Sequence, residues 1–272
     1  MDLRNCDGRE LLRSLDDASV DLILTDPPYI ISHDTGMDKF RNDLDSGKDL
    51  TKTEHEWDAW HAANPDVDHP NMKENYLKYG TVYGKKYGIK TRYGTWDEGG
   101  EFTMDDVEEF VELYYKKLRD GGTCIVWFDL WKIGELKRVM EAHKFKQIRM
   151  IEWIKTNPQP LNSSTNYLTN AREIALVGVK KSKPTFHSEY DKGIYEFPIQ
   201  GGRDRFHPTQ KNIAMFERLI EKHSNPDDLV CDTFVGGGTT VFAAKATGRR
   251  FTGSEINEEY FSKVCEKLKF QT

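Results

Sequence analysis

Asp26-Pro27-Pro28-Tyr29 stands directly after the apolar run Val20-Asp21-Leu22-Ile23-Leu24-Thr25. The alternating, β-branched run reads as a short buried strand. Two prolines then end its ladder in a fixed non-helical turn, because neither has an N–H to donate. A carboxylate at the C-terminal edge of a strand sits where open α/β sheets bind ligands, and the prolines hold neighbouring carbonyls in one direction. Two acceptors facing one NH2 group, with the tyrosine ring beside them, suit chemistry on an amino group. Asp26, Pro27, Pro28 and Tyr29 are therefore the candidate catalytic set.

A second constellation supplies a partner for that chemistry. Asp228 to Asp232 reads as a strand, Thr233-Phe234-Val235-Gly236-Gly237-Gly238 as a tight loop, and Thr239 to Ala246 as a helix closed by Gly248. Glycines admit close approach of backbone to a ligand, and a helix start offers unpaired N–H groups. Phe251 to Ser254 reads as a further strand ending in Glu255, about twenty residues past the loop, where nucleotide-binding folds place an acid for ribose hydroxyls. The unit reads as a nucleoside-cofactor site. It lacks the phrasing of a dinucleotide fingerprint and of a phosphate-binding P-loop, so neither NAD nor ATP is favoured.

The elements that must position these residues alternate between helix and strand. Thr103 with Asp106 forms a capping box for a helix striped by Val107, Phe110, Val111, Tyr114 and Leu118. Gly121-Gly122 is expected to turn into a strand over Thr123 to Phe128. A helix over Ile133 to Ala142 leads to a strand over Ile148 to Ile154, left through Lys155-Thr156-Asn157-Pro158, and Glu173 to Val179 reads as a further strand. Asn212 to Ile220 has helical apolar spacing.

Thr25 to Tyr29, then His207-Pro208-Thr209-Gln210-Lys211, then Asp232 to Thr240, and Glu255 with Tyr260 together resemble the β-class S-adenosylmethionine-dependent DNA amino-methyltransferases. Several motifs in this order are far more specific than one. The resemblance implies a Rossmann-like α/β methyltransferase sheet, mostly parallel with helices on both faces and a circularly permuted motif order, the catalytic motif preceding the cofactor loop. It implies that Phe234, Gly236 and Gly238 wrap the methionine side of S-adenosylmethionine, with Asp232, Thr239 and Asp26 nearby and Glu255 on the ribose. It puts Asp7 near the adenine ring, although an Asp before a helix also serves as an N-cap. His207, Thr209 and Lys211 belong to the block that closes over the cofactor, and the polar residues after Ile154 fall near the target base, where an Asn-Pro turn is the plainer alternative. Thr233 replaces the family's Pro and Gly237 its Ser, a change expected to loosen the loop without removing a functional group.

The resemblance runs in blocks from Asp7 to about Leu268, so that residues 1–31 and 101–272 are expected to form the catalytic domain and 32–100 an insertion after the catalytic motif, a lid or DNA-recognition subdomain. Residues 160–206 are a further candidate for target recognition. The implied reaction is methyl transfer to adenine N6 of a flipped-out base in double-stranded DNA. The first alternative is cytosine N4, because Asp-Pro-Pro-Tyr is commoner among adenine enzymes; an RNA or protein N-methyltransferase follows. No cysteine follows a proline, which disfavours methylation at cytosine carbon-5.

The chain has 272 residues, 37% hydrophobic, and a formal charge of −6, which speaks mildly against nucleic acid until distribution is considered. From Asn75 to Gly94 there is no acid, and Lys78, Lys85, Lys86, Lys90 and Arg92 alternate with tyrosines that include Tyr76. These cations, with Arg203 and Arg205, are the candidate DNA contacts, the alternative being tyrosines packed on the protein. Lys180-Lys181-Ser182-Lys183 reads as an ordinary solvated turn. His33 to Glu74 is acidic, with Trp57, Trp60 and His61 on one helical face, suited to a lid or a homodimer contact. Four cysteines without a C-x-x-C pair give neither a metal site nor a disulfide framework. With no apolar run long enough to span a bilayer, a soluble protein of the cytoplasm, or of a host's cytoplasm if phage-encoded, is expected.

Overall fold

The computed structural model describes residues 1–29, 47–83, 102–158, 169–181, 183–201 and 210–270. Lys85, Lys86, Lys90, Arg92, Arg203, Arg205, His207 and Thr209 lie outside these residues. In chain order the elements are β1 (Asp2–Arg4), α1 (Gly8–Ser14), β2 (Val20–Thr25), α2 (Glu54–Ala63), α3 (Met72–Tyr79), α4 (Met104–Lys117), β3 (Leu118–Phe128) and α5 (Ile133–Ala142). They continue as β4 (Phe145–Lys155), β5 (Arg172–Lys180), β6 (Ile194–Phe197), α6 (Ile213–His223), β7 (Leu229–Asp232), α7 (Thr239–Ala246), β8 (Arg250–Ser254) and α8 (Glu258–Phe270). Contacts divide the chain into two compact units, Met1–Ile30 with Gly99–Thr272, and Ile31–Glu98.

The described strands of the larger unit form one eight-stranded sheet, in the order β1-β8-β7-β2-β3-β5-β4-β6. All neighbours are parallel except at β5, which runs against both β3 and β4. The mostly parallel, Rossmann-like architecture is thus present. Its residues explain it: in β3, Cys124, Val126 and Phe128 enter one core while Ile125 and Trp127 enter the other, a period of two with both faces apolar. Helices α1, α4 and α5 cover the first face, and α6, α7 and Val264 of α8 the second. Trp127 is fully buried and stacks on Phe216 of α6 at 6.0 Å between ring centroids.

Two consequences of the topology build the site. From β7 the chain proceeds to β8 on one side, and from β2 to β3 on the other, so the carboxyl ends of the adjacent β2 and β7 border a topological switch point. The reversal of β5 brings its first residues to the edge where β2, β3, β4, β7 and β8 end, with Ile174 opposite Phe128 and Glu173 opposite Trp153.

Local departures from expectation have physical causes. Gly121 and Gly122 do not precede their strand. They lie within β3 as an irregularity, since Leu118 pairs with Val20 but Thr123 with Leu22. Gly121 takes φ +81°, and a β-carbon on Gly122 would fall 2.9 Å from the Arg119 carbonyl. Lys180 is not in a solvated turn: it is buried, donates to the Leu118 carbonyl at 2.6 Å and lies over the Tyr115 ring.

Within the smaller unit, α2 opens on a capping box between Thr53 and Glu56. Trp57 is buried, stacking on Trp60 and His61 and meeting Tyr76 of α3 edge-on at 5.6 Å. The aromatic face of α2 therefore packs against α3 in the same unit. Tyr76, one of the tyrosines read either as stacking on bases or as packed on the protein, belongs to that cluster. No helix among the described residues is long and apolar enough to cross a membrane.

His223, at the end of α6, gives the fold a pH signature. Burial lowers its pKa to about 4, whereas an unfolded histidine titrates near 6.5. The unfolded chain binds the extra proton first, so this stabilisation is complete above about pH 6.5 and is lost as pH falls toward 4, up to ~3 kcal/mol. Asp232, raised to about 6 by burial, acts in the opposite sense. The variant His223→Phe isolates the histidine: urea unfolding should show it gaining on the wild type as pH drops from 7 to 4.5. A pH-independent difference refutes the assignment.

Candidate active site

Asp26 follows β2 directly, with 22% of its side chain exposed. Its Oδ2 accepts from Lys211 Nζ at 2.5 Å. Its Oδ1 is buried and accepts no hydrogen bond among the described residues. Lys211 is 4% exposed and also meets Glu173 Oε2 at 2.8 Å. Tyr29 donates its hydroxyl to the same Glu173 oxygen at 3.3 Å, and its ring centroid lies 5.4 Å from Lys211 Nζ. Lys155, at the end of β4, closes the series on Glu173 Oε1 at 2.6 Å. Charges therefore alternate along Asp26, Lys211, Glu173 and Lys155.

The electrostatics follow from burial and neighbours. Burial raises the Asp26 pKa above the ordinary carboxylate value against the pull of Lys211. For Glu173, burial is outweighed by Lys211 and Lys155, which together hold it down to about 2. Burial works against the Lys211 charge, yet Asp26 and Glu173 keep its pKa well above the usual lysine value. The site thus holds an ionised pair beside a carboxylate oxygen that has room for one more donor.

The neighbouring loop between β7 and α7 is built from the same edge. Asp232 is buried: Oδ1 accepts from Thr25 Oγ1 at 2.7 Å and from the Phe234 N–H at 3.0 Å, and Oδ2 from Thr240 Oγ1 at 2.6 Å. Both of its oxygens are spent on holding the loop and on tying it to the strand that carries Asp26. The Phe234 ring packs on Phe110 and Phe102 at 4.8 and 5.6 Å. Gly236 and Gly238 take φ +51° and +81°, and a β-carbon on Gly238 would fall 2.6 Å from the Phe242 ring. Thr239 is buried and donates to the Lys211 carbonyl at 3.3 Å, which connects the loop helix to the cation on Asp26. Glu255 follows β8, its Oε2 accepting from Gly236 N at 2.7 Å and its Oε1 from Asn257 N at 2.8 Å.

Thr233 does not loosen the loop. Its hydroxyl lies 2.5 Å from the Tyr114 hydroxyl and 3.5 Å from Thr25 Oγ1, pinning the loop to α4 and β2 at a position where proline has nothing to bond. The variant Tyr114→Phe should cost about 1 kcal/mol, read as a lower urea midpoint at unchanged m-value. A change below the error of the titration would dismiss this tie.

The remaining candidates separate by position. Asp7 is the N-cap of α1, accepting from Arg9 N at 2.7 Å and pairing with the Arg9 guanidinium, while the adjacent Gly8 abuts Thr233 so closely that a β-carbon would fall 2.8 Å from its Cβ. Asp7 thus stands beside the loop with its carboxylate engaged. Asn157 accepts from Ile199 N at 2.7 Å and so works as a turn residue. Lys78 is on α3, its ammonium 5.4 Å from the Tyr79 ring centroid. Pattern reading missed Glu173 as a site residue, while Lys155 is among the polar residues after Ile154 that the resemblance puts near the target base. The available signal was an acid opening the otherwise apolar run Ile174-Ala175-Leu176-Val177.

A glycine-rich turn between β7 and α7, with Glu255 at the end of the neighbouring β8 and Asp26 at the end of the neighbouring β2, is the arrangement of a nucleoside-cofactor site in a Rossmann-like sheet. Residues 20–266 match the DNA methylase family. The chain is 31% identical to the type II methyltransferase M2.DpnII of Streptococcus pneumoniae over 64% of its own length and 71% of that protein. It is 30% identical to the DNA adenine methyltransferase YhdJ of Escherichia coli K12, over 63% and 60%. The crystal structure of the M1.HpyAVI-SAM complex superposes with a TM-score of 0.61 at 23% identity, covering 98% of this chain and 99% of that one. The chain belongs to the S-adenosylmethionine-dependent N6-adenine and N4-cytosine DNA methyltransferases.

The residues present fit that cofactor. Each Glu255 oxygen takes one backbone N–H and keeps lone-pair capacity for hydroxyl donors.

Proposed function

We propose that the enzyme methylates adenine N6 of a base turned out of double-stranded DNA. The observation that carries this reading is Asp26 Oδ1, buried and without a hydrogen-bond donor among the described residues, while Lys211 holds the other oxygen. An exocyclic amino group satisfies it. Adenine rather than cytosine is supported by the aspartate at the head of the motif and by relatives such as YhdJ, itself an adenine methyltransferase.

S-adenosylmethionine, when bound, supplies an electrophilic methyl group on a sulfonium sulfur. Glu255 holds the ribose hydroxyls, and the backbone turn at Gly236 to Gly238 admits the methionine side. The amino nitrogen of the target base is a poor nucleophile because its lone pair is delocalised into the ring. Hydrogen bonds to Asp26 Oδ1 and to the Pro27 carbonyl draw it toward tetrahedral geometry, and Tyr29 stacks on the ring. The bound cofactor would supply the methyl group to the nitrogen so presented, and Asp26 Oδ1 would accept the amino proton released by N-methylation. Positioning and fixed electrostatics are worth up to roughly 7–11 kcal/mol in such an arrangement.

The test is direct. Unmethylated duplex DNA is incubated with methyl-labelled cofactor and enzyme, then digested to nucleosides. Label in N6-methyladenine is expected; label in N4-methylcytosine replaces the base assignment, and label in neither refutes the reaction.

A further inference from the structure

Resting on the reading that methyl transfer occurs at Asp26, we propose that Glu173 is a positioning residue: its carboxylate holds the Lys211 ammonium and the Tyr29 hydroxyl so that Asp26 keeps one oxygen turned to the target amino group. Glu173 makes no hydrogen bond to Asp26 and acts through its two partners. Its Oε2 meets Lys211 at 2.8 Å and Tyr29 at 3.3 Å, and its Oε1 meets Lys155 at 2.6 Å. Both oxygens are thereby assigned, and the side chain is only 18% exposed. The backbone beneath it is equally fixed, as the second residue of β5, paired with Trp153 of β4.

The arrangement explains why Lys211 does not collapse wholly onto Asp26. A lysine with one carboxylate partner would direct its protons there, and a mobile aspartate could follow with both oxygens. Glu173 opposes that by taking one of the three ammonium protons. Tyr29 is restrained through the same oxygen, so the stacking ring and the acceptor share one anchor. A glutamine cannot substitute, because its NH2 end must face either Lys211 or Lys155, and both are donors.

The test uses the full-length protein and two readouts. First, the protein is labelled with 13C at aspartate carboxyls and titrated without cofactor, the Asp26 resonance being identified by its loss in Asp26→Asn. The charged groups facing Asp26 are Lys211, Glu173 from β5, Tyr29 on its own turn, and Asp232 at the end of β7. Removing the negative charge in Glu173→Gln should lower the Asp26 midpoint by about one pH unit. Second, kcat for label transfer to DNA should fall about tenfold to a hundredfold with KM for the cofactor unchanged, its acid limb moving down with the midpoint.

A kcat within about twofold of wild type overturns the proposal whatever the midpoint does, as does a fall in kcat with midpoint and acid limb unmoved, the mark of a merely structural residue. If Glu173→Gln folds poorly, Glu173→Gln with Lys155→Met leaves the amide one cation to face and is read by the same criteria. Absence of methyl transfer to DNA by the wild type refutes the reaction itself, and the aspartate titration then decides the role of Glu173.

Discussion

Asp26→Asn should abolish turnover while leaving cofactor affinity nearly intact. In the proposed reaction Asp26 serves two partners through different oxygens: Lys211 occupies Oδ2, and Oδ1, without a donor among the described residues, is the one assigned to the target amino group. Asparagine has only one acceptor end. Lys211 cannot accept, so the amide oxygen turns to it and the NH2 meets the amino group of the base, replacing an attraction by a clash of donors. Deleting a single oriented group of this kind costs about 10²–10³ in rate, and the inverted amide should lose at least as much as Asp26→Ala. The fold should survive, since Lys211 keeps Glu173 as a partner. Single-turnover transfer of labelled methyl gives the rate and calorimetry the cofactor Kd. A parallel loss of both, or full activity in either variant, would remove Asp26 from the chemistry.

Replacing Lys211 is expected to have the largest effect on stability. In Lys211→Met, Asp26 and Glu173 lose the buried cation between them. Breaking a buried pair from one side costs about 3–5 kcal/mol, because the remaining charge has neither water nor a partner. At ~2–4 °C per kcal/mol for a chain of this size, the melting temperature should drop by about 10 °C. Glu173 still has Lys155, so it stays ionised, and Asp26 is the group that takes up a proton. Residual activity should therefore shift to higher pH, the opposite of the shift in Glu173→Gln. Adding Glu173→Gln to Lys211→Met removes one of the facing carboxylates and should restore part of the stability. Equal melting temperatures for wild type and Lys211→Met would show that the ion pair is not a structural element.

The parts of the site legible in the sequence are those fixed by contiguous residues. The prolines after β2, the glycines before α7 and the acid after β8 declare themselves through backbone chemistry that acts within a few residues. The two-faced sheet follows from apolar runs such as Cys124 to Phe128. What stayed hidden was long-range. Lys211 reaches Asp26 across 185 residues and Tyr29 reaches Glu173 across 144, and the second pairing depends on β5 entering the sheet reversed, which no local pattern announces. The tie between Tyr114 and Thr233 was concealed in the same way, since a threonine in place of a proline reads as a loss until the tyrosine opposite it is known. Tyr76 stands in an acid-free run of lysines and tyrosines that suggested a nucleic-acid surface, whereas its neighbours in space are Trp57 and Trp60.

The alternation of Asp26, Lys211, Glu173 and Lys155 leaves the proposed catalytic centre without net charge. A neutral centre releases no counterions when a phosphate backbone settles over it. The ionic-strength dependence of complex formation must then arise on other surfaces, at about 0.9 log units per phosphate neutralised. Charge-swapped variants within the quartet would change turnover while leaving the slope of log K against log salt nearly intact. Capture of the polymer and reaction on its base thus become separable quantities, open to independent adjustment.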